Sequence, residues 1–465
     1  MDSARTAPVT DPPAHSHSHG LGSGPAPLSG AARLTVMILL GLIAVAVVAG
    51  IVALWPSSAD HPIPMQFRSA DGGPIRTVNA TVVSQTRAAC QNQLVGVAID
   101  DVSIPVTPVA SGPCIDSTVR LDTGDDAGKL VLIQIPTNKA QSGSGPDTPK
   151  PNPATADEPQ AGQPTLHVDD SIRLSISPGY DGTARYGFYD FARGPSILVW
   201  AILFVLAIVL VAAWRGLRSV IGLAFAFAVL GIFTLPAILA GSSPVGVAVV
   251  SSALILFVVL YLAHGISMRT SSALLGTLFS LGLAGILSWL AIKTTKITGL
   301  SGDQAMNLQL YQGSISVSGL LLAGFIIGTL GVLNDVTITQ ASAAFELAAA
   351  GEHSRLATFR AAMRIGRDHI ASTVYTLVFA YAGSALPLLL LFSVASQPFG
   401  SLLTTDQVAI ELVRAFVGGI AIALSVPLTT AIAVALVRLP AASRPAGTDR
   451  TAATPYSSTT SHQSY

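Results

Sequence analysis

GLLLAGFIIGTLGVLNDVTITQASAAFE, residues 319–346, decides the fold of this chain. It opens as a membrane helix of Leu, Ile, Ala and Gly. Asn334 and Asp335 then follow the apolar run directly, without the Lys or Arg that usually marks an exit from lipid. Asp335, Thr339, Ser342 and Glu346 recur at steps of four, three and four, so on a helix they share one face. A carboxylate at the bilayer centre costs roughly 2.5–3.5 kcal/mol on insertion scales, so it is expected to face a bundle interior, a cavity or water. The apolar part, 319–333, is short for a span. The helix therefore begins near Ser314 or continues past Asp335 into LAAA at 347–350, and either a long tilted or a broken helix fits.

Working outward, composition points the same way. Of 465 residues, 50% are hydrophobic and only 11% charged, with mean hydropathy +0.60. Soluble proteins carry about 25% charged residues, so the expected class is a polytopic α-helical membrane protein. The net charge is zero and no basic domain suggests nucleic acid. The two cysteines, Cys90 and Cys114, fall in the one large segment outside the spans. They imply a single disulfide in an oxidising compartment, without the C-x-x-C spacing of redox sites.

Residues 1–33 lack a core-forming pattern and are expected to be disordered and cytoplasmic. Their His15, His17 and His19 could bind metal weakly, but a solvated tail is preferred. Residues 34–54 form the first span. A retained anchor is preferred to a cleavable signal, although Ser57-Ser58-Ala59 is small enough for a peptidase. Residues 56–195 form a β-rich domain, a small barrel or a sandwich. Its strands are expected at 75–84, 93–99, 117–121, 129–135 and 167–177, with a flexible insertion at 138–164. A seven-helix membrane domain (196–437) follows. Its spans lie at 196–213, 217–239, 245–263, 271–292, from near 314 into the Asp335 region, at 370–394 and at 408–437. Residues 438–465 are a second disordered tail. Arg33, Arg215, Arg218, Arg269, Arg355, Arg360, Arg364, Arg367, Arg438, Arg444 and Arg450 then fall on one side, with Lys293 and Lys296 opposite. Both termini of this eight-span chain are expected in the cytoplasm, and the β-domain outside.

Three stretches carry a resemblance: YGFYDFARGPSILVW (186–200), LGVLNDVTITQASAAFEL (330–347) and GRDHIASTVYTLVFAYAG (366–383). With them the chain resembles the YibE/F-like family over roughly residues 75–437. The resemblance implies a multi-pass protein of the bacterial cell membrane, inner or plasma, and brings no substrate. The order of glycine-rich helix with Asp335, basic connector with Arg355, Arg360 and Arg364, and helix opening at Gly366-Arg367 is also similar to half of a resistance-nodulation-division permease. It is similar as well to the SecD/SecF accessory proteins. Those have carboxylates for proton coupling on the matching helix, a role that would fall to Asp335. This chain departs from them in two further spans and in lacking duplication.

Two readings of Asp335 stand side by side. It is a proton or ion relay, or the helix ends at the cytoplasmic surface and the carboxylate is wet. Glu346 is a second acid of the face or an interfacial residue. Asn334, Thr337, Thr339 and Gln340 offer uncharged donors and acceptors for a substrate, or for bonds between helices. Arg367 could pair with Asp335 and His369 could titrate near neutral pH, or Arg367, Asp368 and His369 simply open a helix. Gly324 and Gly328 suggest close helix packing. No hydrolase or nucleotide-binding motif is present, so no enzyme activity, cofactor or metal is expected. The function expected is secondary transport or export, proton-coupled, of an unknown small substrate or ion. The alternative is a membrane scaffold or assembly factor whose outside domain binds a protein. Expected partners are the lipid bilayer and either a second copy of the chain or an extracytoplasmic protein.

Overall fold

The computed structural model describes residues 30–57, 63–69, 72–90, 92–100, 112–141, 152–179, 182–311, 313, 315–350, 354–394 and 398–437. Expectations for residues 1–29 (the three histidines included), for Ser58 and Ala59, for the middle of the insertion at 142–151 and for the tail from 438 lie outside them. Two compact units divide the chain: Ser58–Val220, and the remainder.

The first unit is built on one antiparallel sheet. Its strands are β1 (Arg76–Ala88), β2 (Ala98–Ile99), β3 (Cys114–Leu121), β4 (Leu130–Pro136), β5 (Ser171–Pro178) and β6 (Ala184–Phe191), in spatial order β2-β4-β3-β1-β5-β6. Alternation sends Val78, Ala80 and Val82 of β1 inward, where they meet Val119, Leu121, Ile172 and Leu174. Irregularities at Val82/Ser84 and Arg173/Leu174 bend the sheet. Its two edges come together where Gly96 donates to the Leu132 carbonyl (2.9 Å) and accepts from the Tyr186 amide (2.8 Å). Only glycine fits at this seam: φ is 76°, and a Cβ would sit 2.7 Å from the Tyr186 oxygen. The curled sheet favours the barrel over the sandwich. Cys90 and Cys114 are bonded as expected, with Cα atoms 5.2 Å apart.

Three features of this unit depart from expectation, and the first is that the strand expected at 93–99 is confined to β2, Ala98–Ile99. Strand β6 is additional, because Gly187 and Asp190 interrupt the pattern that would have marked it. The described parts of 138–164 are tied to the sheet rather than free. Asn138 donates to Thr155, Asp157 pairs with Lys139 at 2.6 Å and Arg87 at 3.0 Å, and Ala156 is buried. A groove of about 680 Å³ opens beside β4 and β6, lined by Ile133, Ile135, Tyr186, Phe188, Tyr189 and Phe191.

The helical elements are α1 (Gly30–Ala53), α2 (Gly194–Val229), α3 (Leu235–Leu239), α4 (Pro244–His264), α5 (Met268–Thr295), α6 (Asp303–Tyr311), α7 (Val317–Ala349), α8 (Arg355–Ser384), α9 (Leu386–Val394), α10 (Phe399–Leu403) and α11 (Asp406–Leu436). Ala213 leaves helical geometry inside α2 (φ 48°, ψ −132°), and a π-turn at Leu230–Thr234 joins α2 to α3. Six stretches among the described residues are long and apolar enough to cross a membrane, or seven if α8 and α9, bent by 56° ahead of Pro387, count as one. Helix α7 is unbroken through Asp335, which selects the long helix over the broken one. It packs against α4, α5, α8 and α11. Its core residues Phe325, Ile326, Leu333 and Val336 are almost fully buried, alongside Leu274 of α5 and Ile422 of α11.

Candidate functional site

Helix α7 is capped by Ser316, whose hydroxyl accepts from the Gly319 amide at 3.1 Å. Its 33 residues rise about 50 Å, more than the ~30 Å hydrocarbon core. Four neighbouring helices leave one stripe of it uncovered. The exposed members are Gly324, Gly328, Gly331, Asp335 and Glu346, with Thr339 and Ser342 half-buried between the two acids. The face set by spacing in the sequence therefore exists, and it points out of the bundle. Of the surroundings left open for Asp335, the structure shows an exposed one: its side chain is exposed about midway along the helix. Gly324 and Gly331 have nothing within 4 Å of a Cβ position, and Gly328 meets only the Tyr381 hydroxyl at 3.5 Å. The GFIIG run thus lines an open furrow instead of a tight helix contact. Close approaches occur elsewhere, at Gly276 against Thr429 and at Gly418 against Leu377.

The opposite face of α7 is closed and bonded. Gln340 is 1% exposed; its Nε2 donates to the Ala362 carbonyl of α8 (3.2 Å) and to Thr430 Oγ1 of α11 (3.0 Å). Thr337 is bonded to Thr277 of α5. These side chains join four helices, so the interhelical reading holds for them. Gly366 makes the junction possible: a Cβ there would lie 2.4 Å from Gln340 Nε2 and 2.5 Å from Val426. Thr339 donates to the Asp335 backbone carbonyl. Asn334 is half-buried, and its Oδ1 has no partner.

The contact between Gly366 and Gln340 also sets levels along the antiparallel α7 and α8. Arg367, Asp368 and His369 lie within about a turn of the level of Asp335. Arg367 and Asp368 are exposed, His369 is half-buried, and among the described residues Asp335 has no ion pair. Of the two readings of Arg367, a pair with Asp335 is not formed among the described residues. Glu346 instead pairs with Arg269 at the start of α5, at 3.3 Å.

Sequence reasoning missed one charged group. Glu411 and Arg414 sit five and eight residues into α11, paired at 3.2 Å and about three-quarters buried. The Arg414 guanidinium lies over the rings of Phe325 on α7 (5.1 Å) and Tyr381 on α8 (5.4 Å). The signal was present, since two charges three residues apart inside an apolar run demand partners in lipid.

A family model described as YibE/F-like protein matches residues 200–439, just over half of the chain. The chain belongs to the YibE/F-like family. The match begins inside α2 and spans the whole of α7, α8 and α11, so both polar groups lie in the family's region. The β-unit lies outside it, which shortens the resemblance read from residue 75. No curated protein and no solved structure matches the chain.

Proposed function

We propose that this YibE/F-like protein is a secondary transporter or exporter of the bacterial cell membrane, coupled to protons through Asp335. The single observation that carries this reading is an unpaired carboxylate midway along a membrane-length helix, on an open stripe floored by glycine. Such a group stabilises no contact in the bundle and is costly in lipid, so it needs a use. Thr339, Ser342 and Glu346 continue the stripe toward the end of α7 and give a polar path to one membrane face. Arg367 and His369, at nearby depth, offer a second charge and an imidazole.

The accompanying topology has eight spans, both termini in the cytoplasm and the β-unit outside. Gly194–Leu239 supports the count: 46 residues rise about 69 Å, twice the hydrocarbon thickness, and the helix breaks at Ala213. No enzyme activity is assigned. A comparison of a deletion strain with an Asp335→Asn strain, in growth and exported metabolites, tests the reading. The variant should accumulate normally and behave as the deletion; wild-type behaviour would remove the proton relay.

One observation favours a second reading, a scaffold whose outside domain binds a protein: the aromatic-lined groove beside β4 and β6. Under it, Phe188→Ala abolishes both activity and recovery of a stable protein partner, while Asp335→Asn does neither.

A further inference from the structure

The Glu411–Arg414 pair is not used by the Asp335 reading, and its geometry is specific. Arg414 lies about 12 Å into α11 and Phe325 about 12 Å into α7, toward the end of the bundle opposite the Gln340 junction. The guanidinium is held against two aromatic rings, Phe325 and Tyr381. One edge is occupied too: Nη1 donates to both Glu411 carboxylate oxygens at 3.2 Å. The remaining edge, Nε with Nη2, makes no hydrogen bond among the described residues, and Nε is fully buried. A planar cation with a free two-donor edge is the geometry that receives a planar or trigonal oxyanion side-on.

We propose that the Nε–Nη2 edge of Arg414 binds a monovalent oxyanion of the carboxylate or sulfonate type, and that Glu411 takes up one proton as the anion enters. Charge balance in a low-dielectric bundle requires the coupling. Arg414 with ionised Glu411 is neutral, and an added anion would leave a net negative charge in the membrane. A proton on a Glu411 carboxylate oxygen cancels it, so one proton accompanies one anion. No other bond forms or breaks.

Few groups compete for this role. Glu411 faces Arg414 on its own helix and Tyr381 on α8, while α7 presents Phe325. One turn away, Asp406 is engaged by Thr298, Gly299 and Ser301. On α5, Lys293 lies over the Trp289 ring at 4.6 Å. The proposal names the substrate class of the transporter and rests on that reading for its role, but binding and transport fail separately.

The test uses the full chain in detergent and methanesulfonate, an anion with negligible neutral form. Its effect on the melting temperature is read at about pH 4 and about pH 8, so that a proton taken up with the anion shows as a gain confined to the lower pH. Wild type should be stabilised at the lower pH only, Glu411→Gln at both, Arg414→Lys weakly and Arg414→Gln at neither. Equal stabilisation of wild type and Arg414→Gln, or none of wild type at the lower pH, overturns the proposal. Should Glu411→Gln fail to fold, wild type against Arg414→Lys at the two pH values decides. Binding without methanesulfonate-driven proton flux in sealed vesicles would leave the site standing and remove the transport reading.

Discussion

The two faces of α7 treat polar side chains in opposite ways. On the closed face, Thr337 and Gln340 are buried and bonded to α5, α8 and α11. On the open face, Asp335 is exposed and bonded by its side chain to nothing described. A polar group that fastens helices together needs no further explanation, because unpaired burial would be penalised. A carboxylate that fastens nothing, midway along a membrane-length helix, has no such structural explanation. The lesson is that polarity alone does not separate the two faces; the presence or absence of a structural partner does.

That contrast can be broken or sharpened by substitution. The largest effect is expected at Gly366→Val, which forces atoms into Gln340 and Val426 and should cost about 3 kcal/mol, read as a lower melting temperature and yield. Gln340→Leu removes two interhelical bonds but stays apolar, and a loss of about 1 kcal/mol is expected by the same measurement. If either variant were neutral, the closed face would not be a fastening. On the open face, Gly331→Ala meets no atom within 4 Å and should gain about 0.5 kcal/mol from helix propensity. A loss there would show that something covers the furrow.

The β-unit supplies an internal control, a carboxylate that is enclosed. Asp116 is 1% exposed, and burial raises its pKa although Gln134 (2.6 Å) and Asn92 donate to it. For a carboxyl raised in the fold, the stabilising contribution is complete below the unfolded pKa and is lost as pH rises through the folded one. Asp116→Asn should therefore stabilise the protein slightly at alkaline pH, with the gain fading toward acid. Asp126, Asp157 and Asp190 act in the opposite sense. The Tyr186 hydroxyl and then Lys129 hold Asp126 low, Lys139 does so for Asp157, and the Phe191 amide followed by Arg193 for Asp190. Their contribution is lost as pH falls. A melting series of wild type and Asp116→Asn across pH separates the two.

Much of this was legible in the sequence, for identifiable reasons. Apolar runs fixed where α1, α4, α5 and α11 lie, and β-branched runs fixed β1, β3 and β4. The two cysteines named their own bond. Spacing also grouped Asp335, Thr339, Ser342 and Glu346 correctly. It could not say which way the group points, because helical periodicity relates residues to each other and not to their neighbours. Gly324 and Gly328 failed for the same reason: small residues permit close approach only where another helix arrives. The Glu411–Arg414 pair was hidden by its position near the start of its span, where charges pass for interfacial ones. Residues 152–164 lacked any periodic pattern, yet Asp157 and Ala156 tie them down through contacts far apart in sequence.

The central claim is that the open face of α7 is reached by water at the depth of Asp335. Because the native cysteines are bonded to each other, single cysteines can be read without background. Asp335→Cys and Gln340→Cys, in membranes, should be treated with a charged methanethiosulfonate and, separately, with an apolar maleimide. The account predicts rapid reaction of the first variant with the charged reagent and protection of the second from both. Reaction at position 335 with the apolar reagent alone would mean that lipid covers the furrow, and would contradict the claim.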